Sequence, residues 1–216
     1  MAITLFIVAL LLGGLLVPLG AQVEHRKATE TQKALDEIKE ALLGYVIING
    51  YFPCPTTETD PANANYGVAN ASCPPNSTGD ASADGYLPWK TLGISETDAW
   101  GIKRASSTAP WIGYWRYRVD RKFSDTGLKF TLATSFHDNL SVQDSAANSL
   151  TTSTEHPVAI IFSTGKNLTP DGQNASYEAT NGIYQSDTPS PAFDDITIWL
   201  SRPVLMNRMV AAGKLP

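Results

Sequence analysis

The sequence predicts an α+β fold in which a long N-terminal α-helix packs on a small antiparallel β-sheet and a short helix closes the chain. Three observations predict this fold: an apolar start that leads into an amphipathic stretch, short segments of alternating polarity in the second half, and two cysteines that enclose a polar loop. We divide the 216 residues into a hydrophobic helix at 1–24, an amphipathic stalk helix at 25–50 and a globular head at 51–216.

Residues 1–23 carry no charged side chain and are predominantly apolar. A helix needs about 20 apolar residues to cross a hydrocarbon core about 30 Å thick, so this run predicts a membrane helix. A cleaved secretory signal is the alternative, but such signals begin with basic residues and end at a site of small residues. No Lys or Arg precedes Arg26, and Gly20-Ala21-Gln22 is a poor cleavage site, which favours a retained helix. Pro18 predicts a bend or a local loosening, because proline removes a backbone hydrogen bond.

The stalk helix carries one apolar stripe. Its members recur at spacings of three and four residues, as on one face of an α-helix: Leu35, Ile38, Leu42 and Tyr45. Lys33 and Glu37 are an opposite-charge pair at i, i+4, but one such pair stabilises a helix only slightly, so the stripe must pack on the head. Asn49-Gly50 ends the helix.

The two cysteines, Cys54 and Cys73, are both flanked by proline and enclose a loop rich in Ala, Asn and Thr. An even pair in an exported chain predicts a disulfide. Closing a loop of this size removes roughly 3 kcal/mol of unfolded-chain entropy. Two free buried thiols are the alternative, and a metal site is less favoured because no Cys-x-x-Cys or nearby His completes one.

The head contains four segments in which polarity alternates or the apolar run is short. They predict strands at 114–119, 128–133, 157–162 and 195–200, after a connecting stretch at 51–110. Asp125-Thr126-Gly127 predicts a hairpin turn between the first two strands. Residues 163–193 form a long polar loop, and 201–213 form a helix with Ser201 as its cap and Pro203 in its first turn.

Composition and motifs argue against nucleic-acid binding and catalysis. The net charge is −5, without a long basic run, and the three histidines are scattered along the chain. Ser163 and Lys166 match Ser-x-x-Lys, but the companion motifs of that enzyme class are absent. We therefore expect no enzymatic activity. The aromatic residues Trp100, Trp111, Trp115 and Tyr117 either stack on a ligand or, as we favour, form the core of the sheet.

Acidic side chains lie in or beside the long loop, together with amide and carbonyl oxygens. They are Asp171, Glu178, Asp187, Asp194 and Asp195. Hard oxygen ligands of this kind suit Ca²⁺. A solvated polar loop without a metal is the alternative, and residue spacing alone favours that alternative.

Several motifs together resemble those of type IV pilins and of the pseudopilins of type II secretion. Asp98-Ala-Trp-Gly101 followed by Trp115-Arg-Tyr-Arg-Val119 is similar to a pseudopilin pattern. Phe193-Asp-Asp-Ile-Thr-Ile-Trp199, after Ser163-Thr-Gly-Lys-Asn167, resembles the segment in which a pseudopilin loop closes on an Asp-Asp strand. Residues 1–27 resemble the pilin helix without its first few residues. The Phe-x-x-x-Glu segment and the basic leader of the family are therefore expected upstream of Met1.

The resemblance implies a structural subunit of a pilus-like or pseudopilus filament that assembles through its hydrophobic helix. The helix residues that would take part are Leu5, Leu12, Gly13, Gly14, Leu15, Leu16, Pro18 and Leu19. Expected partners are further copies or related pilins, the inner membrane before assembly, a prepilin peptidase that also methylates the new terminus, and the assembly machinery. The head would lie in the periplasm, and the product would be a periplasmic or extracellular filament. A membrane-anchored periplasmic binding module is the alternative.

The resemblance also bears on the acidic loop. It strengthens the hypothesis that this loop binds Ca²⁺, with Asp171, Asp194 and Asp195 as the first candidate ligands. We expect no cofactor besides this ion.

Overall fold

The computed structural model describes residues 2–73, 84–124, 126–127, 129–152, 154–176 and 182–215, and for residues 2–19 it describes the helical backbone alone. The fold is α+β, with an N-terminal helix, a small antiparallel sheet, a disulfide and a C-terminal helix, as predicted. In chain order the elements are α1 (Ala2–Asn49), β1 (Asp84–Tyr86), α2 (Trp89–Leu92), β2 (Thr97–Ile102), β3 (Ile112–Tyr114), β4 (Arg116–Val119), β5 (Ser141–Gln143), β6 (Pro157–Ser163), the 3-10 helix η1 (Gly172–Ser176), β7 (Ile183–Gln185), β8 (Ile196–Ser201) and α3 (Arg202–Ala211).

Helix α1 buries its predicted stripe against the head. Leu35, Ile38 and Leu42 are at most 1 % exposed, and the stripe continues through Val46 rather than Tyr45, which is only partly buried. A side chain of this kind stabilises a protein by roughly 1.5–3 kcal/mol when it is fully buried. The Lys33–Glu37 ion pair spans 3.9 Å between exposed side chains and adds little. The helix is therefore held by packing.

The predicted membrane helix lies almost entirely in the segment for which only the backbone is described. Among the residues whose side chains are described, no helix combines the length and apolarity that a membrane crossing requires. The predicted assembly residues, including Pro18, all lie in the segment whose side chains are not described.

The main sheet has the strand order β1-β4-β6-β8, and all its neighbours are antiparallel. Every residue of β6 is buried, because both faces of this strand are covered. Val158 and Ile161 belong to the core that includes the α1 stripe, whereas Ile160 and Phe162 pack with residues of β5 and β7 on the opposite face. This two-sided burial explains the continuous apolar run at 157–162, and it confirms the third predicted strand.

The predicted strand at 128–133 is wrong for its described residues, 129–133, which form no strand. Phe130 instead inserts singly into the main core, with its ring 5.3 Å from that of Phe123. Leu132 is 48 % exposed, and the Thr131 amide donates to the hydroxyl of Thr134 in a turn. The predicted hairpin consequently has no second strand, and its residue 125 lies outside the described part of the chain.

The predicted strand at 114–119 is divided between two sheets, since β3 ends at Tyr114 and β4 begins at Arg116, and the predicted loop at 163–193 contains η1 and β7. Strands β4 and β8 and helix α3 lie where alternation and capping signals placed them. Ser201 occupies the cap position of α3 without a side-chain hydrogen bond to the helix, and Pro203 lies in its first turn. Cys54 and Cys73 form the predicted disulfide across a sequence separation of 19, with their Cα atoms 4.9 Å apart.

A second, aromatic core lies beside the first. Trp89 and Tyr114 are buried, with ring centroids 5.4 Å apart, and Trp111 lies 4.8 Å from Tyr114. Trp115 and Tyr117 are at most 2 % exposed in the main core. The positions of Trp111, Trp115 and Tyr117 agree with the interpretation of the aromatic residues as core, whereas Trp100 is only partly buried and donates its indole N–H to Glu24 of α1.

The aromatic core predicts a difference between two glycines that share a left-handed backbone, Gly67 (φ 75°) and Gly93 (φ 69°). Alanine at either position costs about 1–2 kcal/mol of backbone strain. At Gly67 the new methyl group would also meet the indole ring of Trp89, whereas at Gly93 it meets open space. We expect Gly67→Ala to lower the free energy of unfolding by roughly 1–3 kcal/mol more than Gly93→Ala. Urea unfolding in detergent would measure this difference, and equal losses would contradict it.

Candidate functional site

Three of the predicted acidic residues meet at one end of the main sheet. Asp171 precedes η1, and Asp194 and Asp195 precede β8. One carboxylate oxygen from each residue lies within 4.8 Å of the other two. We call these three residues the acidic cluster. The structure thus brings together the residues that the sequence analysis selected, across a chain separation of more than 20 residues.

Backbone amides hold the acidic cluster together. Asp171 donates its N–H to Asp195 Oδ2, and Asp194 donates its N–H to Asp171 Oδ2, each at 2.9 Å. Asn167 donates its N–H to Asp194 Oδ2 at 2.9 Å and its side-chain amide to both oxygens of Asp171. Each carboxylate therefore fixes a neighbouring loop segment, which is how a polar loop keeps its shape without an apolar core.

Asn174 contacts the acidic cluster from the buried side of the site, and sequence reasoning did not select it. Its side chain is fully buried, and its amide nitrogen donates to Asp195 Oδ2 at 2.9 Å and to the Gln185 carbonyl at 3.1 Å. Its amide oxygen accepts the Gln185 N–H at 2.8 Å. One Asn side chain thus joins η1, β7 and the start of β8. The sequence contains no signal for this role, since the partners lie 11 and 21 residues away.

The acidic cluster keeps carboxylate oxygens without a partner. Within the described part of the chain, Asp194 Oδ1 and Asp195 Oδ1 accept no hydrogen bond. Asp195 is 2 % exposed, and burial raises the pKa of its carboxyl to about 7. Burial, followed by the charge of Asp171, also raises the pKa of Asp194. The ammonium of Lys166, which is mostly exposed, lies 4.0 Å from the Glu24 carboxylate.

These features fit a hard cation. Calcium takes six to eight oxygen ligands at 2.3–2.6 Å, so two ligands of one ion lie no more than about 5 Å apart. The 4.8 Å limit among the cluster oxygens meets this requirement. Asp194 Oδ1 and Asp195 Oδ1 have the free lone pairs that a metal would use. A cation would also remove the like-charge repulsion that burial intensifies.

Other sequence-selected residues lie elsewhere. Asp187 accepts the Ser145 N–H at 2.9 Å and does not join the cluster, and Glu178 lies outside the described residues. His156 Nδ1 lies 2.9 Å from the Leu140 carbonyl oxygen, in a structural contact.

The segments that carry the motifs are joined by hydrogen bonds. Asp98 Oδ2 accepts the Ser163 hydroxyl at 2.6 Å, which ties β2 to the end of β6. Burial raises the pKa of this carboxyl, whose exposure is 8 %. The Asn167–Asp194 bond then ties the loop after β6 to the segment before β8. The motifs at 98–101, 163–167 and 193–199 thus form one continuous structure.

No protein-family model, curated protein or solved structure matches this chain. The assignment of function therefore rests on the residues and on their geometry.

The raised pKa of Asp195 predicts a pH-dependent loss of stability in the metal-free protein. The folded protein binds this proton more tightly than the unfolded chain, in which the carboxyl titrates near 3.8. The stabilisation from this group is therefore complete below about pH 4 and is lost as the pH rises through about 7. In EGTA, the wild type should unfold at less urea at about pH 8 than at about pH 5.5, and Asp195→Asn should lose most of this difference.

Asp187→Asn is the matched control. Hydrogen bonds from Ser145 lower the pKa of Asp187, so this group stays ionised across the tested range. We expect this variant to keep the wild-type pH dependence. A wild-type protein whose urea midpoint rises between these pH values, or an Asp195→Asn variant that keeps the full fall, would contradict the prediction.

Proposed function

We propose that this chain is a structural subunit of a type IV pilus-like or type II secretion pseudopilus filament. One observation carries the proposal: a single helix of 48 residues that joins an uncharged apolar segment to a stripe buried in the head. From residue 20 onward, Thr31 is the first buried residue of α1. At 1.5 Å per residue, about 45 Å of helix precedes it. Residues 1–23 of that helix contain no charge, so they need lipid or other protein around them.

The connected motifs support the same proposal. The segments on which the resemblance rests are hydrogen-bonded to one another through Asp98–Ser163 and Asn167–Asp194. An antiparallel sheet, a loop that closes on an Asp-Asp segment and a long N-terminal helix packed on that sheet together suit a protein that holds a helix in position. In this proposal the protein performs no chemical reaction. Packing between copies is its function.

The proposed assembly pathway of the subunit follows from the uncharged, apolar start of its helix. Before assembly, the inner membrane covers residues 1–23 and the head lies in the periplasm. A prepilin peptidase and the assembly machinery then transfer the subunit into a periplasmic or extracellular filament of copies or related pilins. The lipid tails and the apolar helices of neighbouring subunits are both apolar. The free energy gained when a subunit moves from the membrane into the filament therefore comes from the fit between helices and from many contacts along the fibre.

A change at Gly14 tests the filament proposal. Gly14→Leu should block close helix approach but leave membrane insertion intact, because leucine is at least as apolar as glycine. We expect Gly14→Leu cells to accumulate the protein in the inner membrane and to lose most filaments, as measured by shear fractions and electron microscopy. Gly14→Ala, which keeps a small residue, should assemble.

Normal filaments with Gly14→Leu would contradict the role given to helix packing. The absence of wild-type filaments in cells that contain the assembly machinery would contradict the filament proposal itself. It would favour a membrane-anchored binding module.

We also propose that the acidic cluster binds one Ca²⁺ through Asp171, Asp194 and Asp195. The support is the set of three carboxylates with two unpartnered oxygens in a partly buried site. The ion would supply no reaction chemistry. Its role would be to order the loop before η1 and the segment before β8, which the acidic cluster already connects.

Calcium should raise the thermal stability of the protein. An ion that binds the folded state alone adds about 2.7 kcal/mol at a free concentration a hundredfold above Kd. For a protein of this size that corresponds to a melting temperature higher by roughly 5–10 °C. Asp194→Asn should lose most of the increase, whereas Asp36→Asn, which removes an exposed charge from α1, should keep it. A wild-type melting temperature that EGTA and Ca²⁺ leave unchanged would remove the site.

A further inference from the structure

Two neighbouring cavities of the head share Lys122 as a wall residue, and each has a volume of about 350 Å³. The first is also lined by Arg121 and His137, and the second by Lys129. Hydroxyl groups complete both walls: Ser72, Ser124 and Thr126 in the first cavity, and Thr131, Thr134 and Ser135 in the second. Among the described residues that line them, neither cavity includes an aspartate or a glutamate. We call the two cavities the basic pockets.

The basic pockets present positive charge on a chain whose net charge is −5. Lys122 and Lys129 are exposed, and within the described part of the chain neither ammonium has an acidic partner. Asp138, whose side chain is 3 % exposed, lies behind the wall and is already paired with Arg121 at 2.7 Å. The two lysines are therefore available to an anion from solution.

Buried carboxylates fix the walls of the first pocket. Asp120 is fully buried and accepts three backbone N–H groups, from Lys122, His137 and Asp138, at 2.8–3.0 Å. It therefore joins the turn after β4 to the segment before β5. Asp138 accepts the backbone N–H of Arg121 at 2.8 Å and both its Nε and Nη2 groups, at 3.1 and 2.7 Å. The Arg121 guanidinium thus has a fixed orientation in the wall.

Two further contacts hold the remaining walls. The disulfide anchors Cys73, whose sulfur lies 3.0 Å from the Ser124 hydroxyl, at the edge of the first pocket. In the second pocket, the methylene stem of Lys129 packs over Gly50, where an added methyl group would lie 3.0 Å from Lys129 Cδ. A binding site whose walls are already ordered loses less conformational freedom when it binds a ligand.

The donors in these walls suit phosphate groups. Lysine ammonium and arginine guanidinium groups form charge-assisted hydrogen bonds with phosphate oxygens, and hydroxyl groups can add neutral ones. A phosphate group is about as large as two or three water molecules, each of which occupies about 30 Å³ in the liquid. Each pocket is therefore too large for one phosphate, and the shared lysine suits a ligand that carries several phosphates in a row.

The walls do not suit single-stranded nucleic acid, which proteins bind by stacking bases on exposed aromatic rings. Phe130 is the one aromatic side chain among the described wall residues, and it is 4 % exposed because it packs into the main core. The ligand should therefore be a phosphate chain without bases.

We propose that the basic pockets bind a linear polyphosphate anion, whose successive phosphate groups run from one pocket into the other past Lys122. This site is separate from the acidic cluster and from the hydrophobic helix. It goes beyond the proposed filament function and does not depend on it.

Isothermal titration calorimetry of the full-length protein in neutral detergent tests this site, with tripolyphosphate as the probe. EGTA is present, because polyphosphates chelate Ca²⁺ and would otherwise report on that ion. We expect wild-type protein to bind tripolyphosphate roughly tenfold more tightly than orthophosphate, because more charge-assisted hydrogen bonds form with the longer anion. The affinity should fall as the salt concentration rises.

Substitutions of single lysines locate the site. Lys122→Gln should weaken tripolyphosphate binding roughly tenfold, and Lys129→Gln should weaken it several-fold. The matched control is Lys33→Gln, which removes the same charge from an exposed position on α1 that lines neither pocket, and it should keep the wild-type affinity. The melting temperature of each variant shows whether folding is preserved.

Three results would overturn the proposal. Equal affinity for orthophosphate and tripolyphosphate would show that no chain of phosphates is recognised. An equal loss of affinity in Lys33→Gln and Lys122→Gln would show that the anion is attracted without a site. A short single-stranded oligonucleotide with three phosphates that binds more tightly than tripolyphosphate would replace the proposed ligand with nucleic acid.

Discussion

The burial of one face of α1 against the main sheet determines the rest of the structure. Leu35, Ile38, Leu42 and Val46 are essentially inaccessible to solvent. This packing fixes where burial in the head begins along the described part of the helix: Thr31 is the first buried residue after Gly20, although Glu24 already contacts the head through Trp100 and Lys166. A helix of this length is not maintained by intrinsic propensity or by exposed ion pairs. Its second half is stabilised by the head, into which the apolar stripe is buried.

The same sheet also places the acidic cluster. Strands β6 and β8 are antiparallel, with Ser163 opposite Ile196. The chain therefore leaves β6 and enters β8 at one end of the sheet, which brings Asn167 beside Asp194 although 27 residues separate them. Asp98 fixes the end of β6 from a third direction, through the Ser163 hydroxyl. The site is thus a consequence of strand pairing, and its carboxylates use backbone amides of the converging loops as their partners.

Much of this fold was predictable, and the failures have physical reasons. Strands β6 and β8, the α1 stripe, α3 and the disulfide have strong local signals in periodicity, capping residues and cysteine count. The segment 128–133 alternates in polarity, but there Phe130 packs singly against Phe123, so tertiary packing outweighed the pattern. Strands β1, β5 and β7 have three residues each, too few to show any period. The three aspartates of the acidic cluster could be selected from the sequence because carboxylates are the usual ligands of hard cations. Asn174 could not be selected, because its hydrogen bonds depend on the tertiary arrangement that brings η1, β7 and the segment before β8 together.

In the acidic cluster, the described structure departs from the rules that govern most of the fold. A buried carboxyl with an unpartnered oxygen destabilises a fold, and a neighbouring carboxylate increases the cost. Asp195 has both features, and Asp194 shares them in part. Proteins tend to depart from local consistency where function requires it. Neutralising these carboxylates, by a proton on Asp195 or by a cation between the three side chains, would therefore stabilise the loop before η1 and the segment before β8, which they connect.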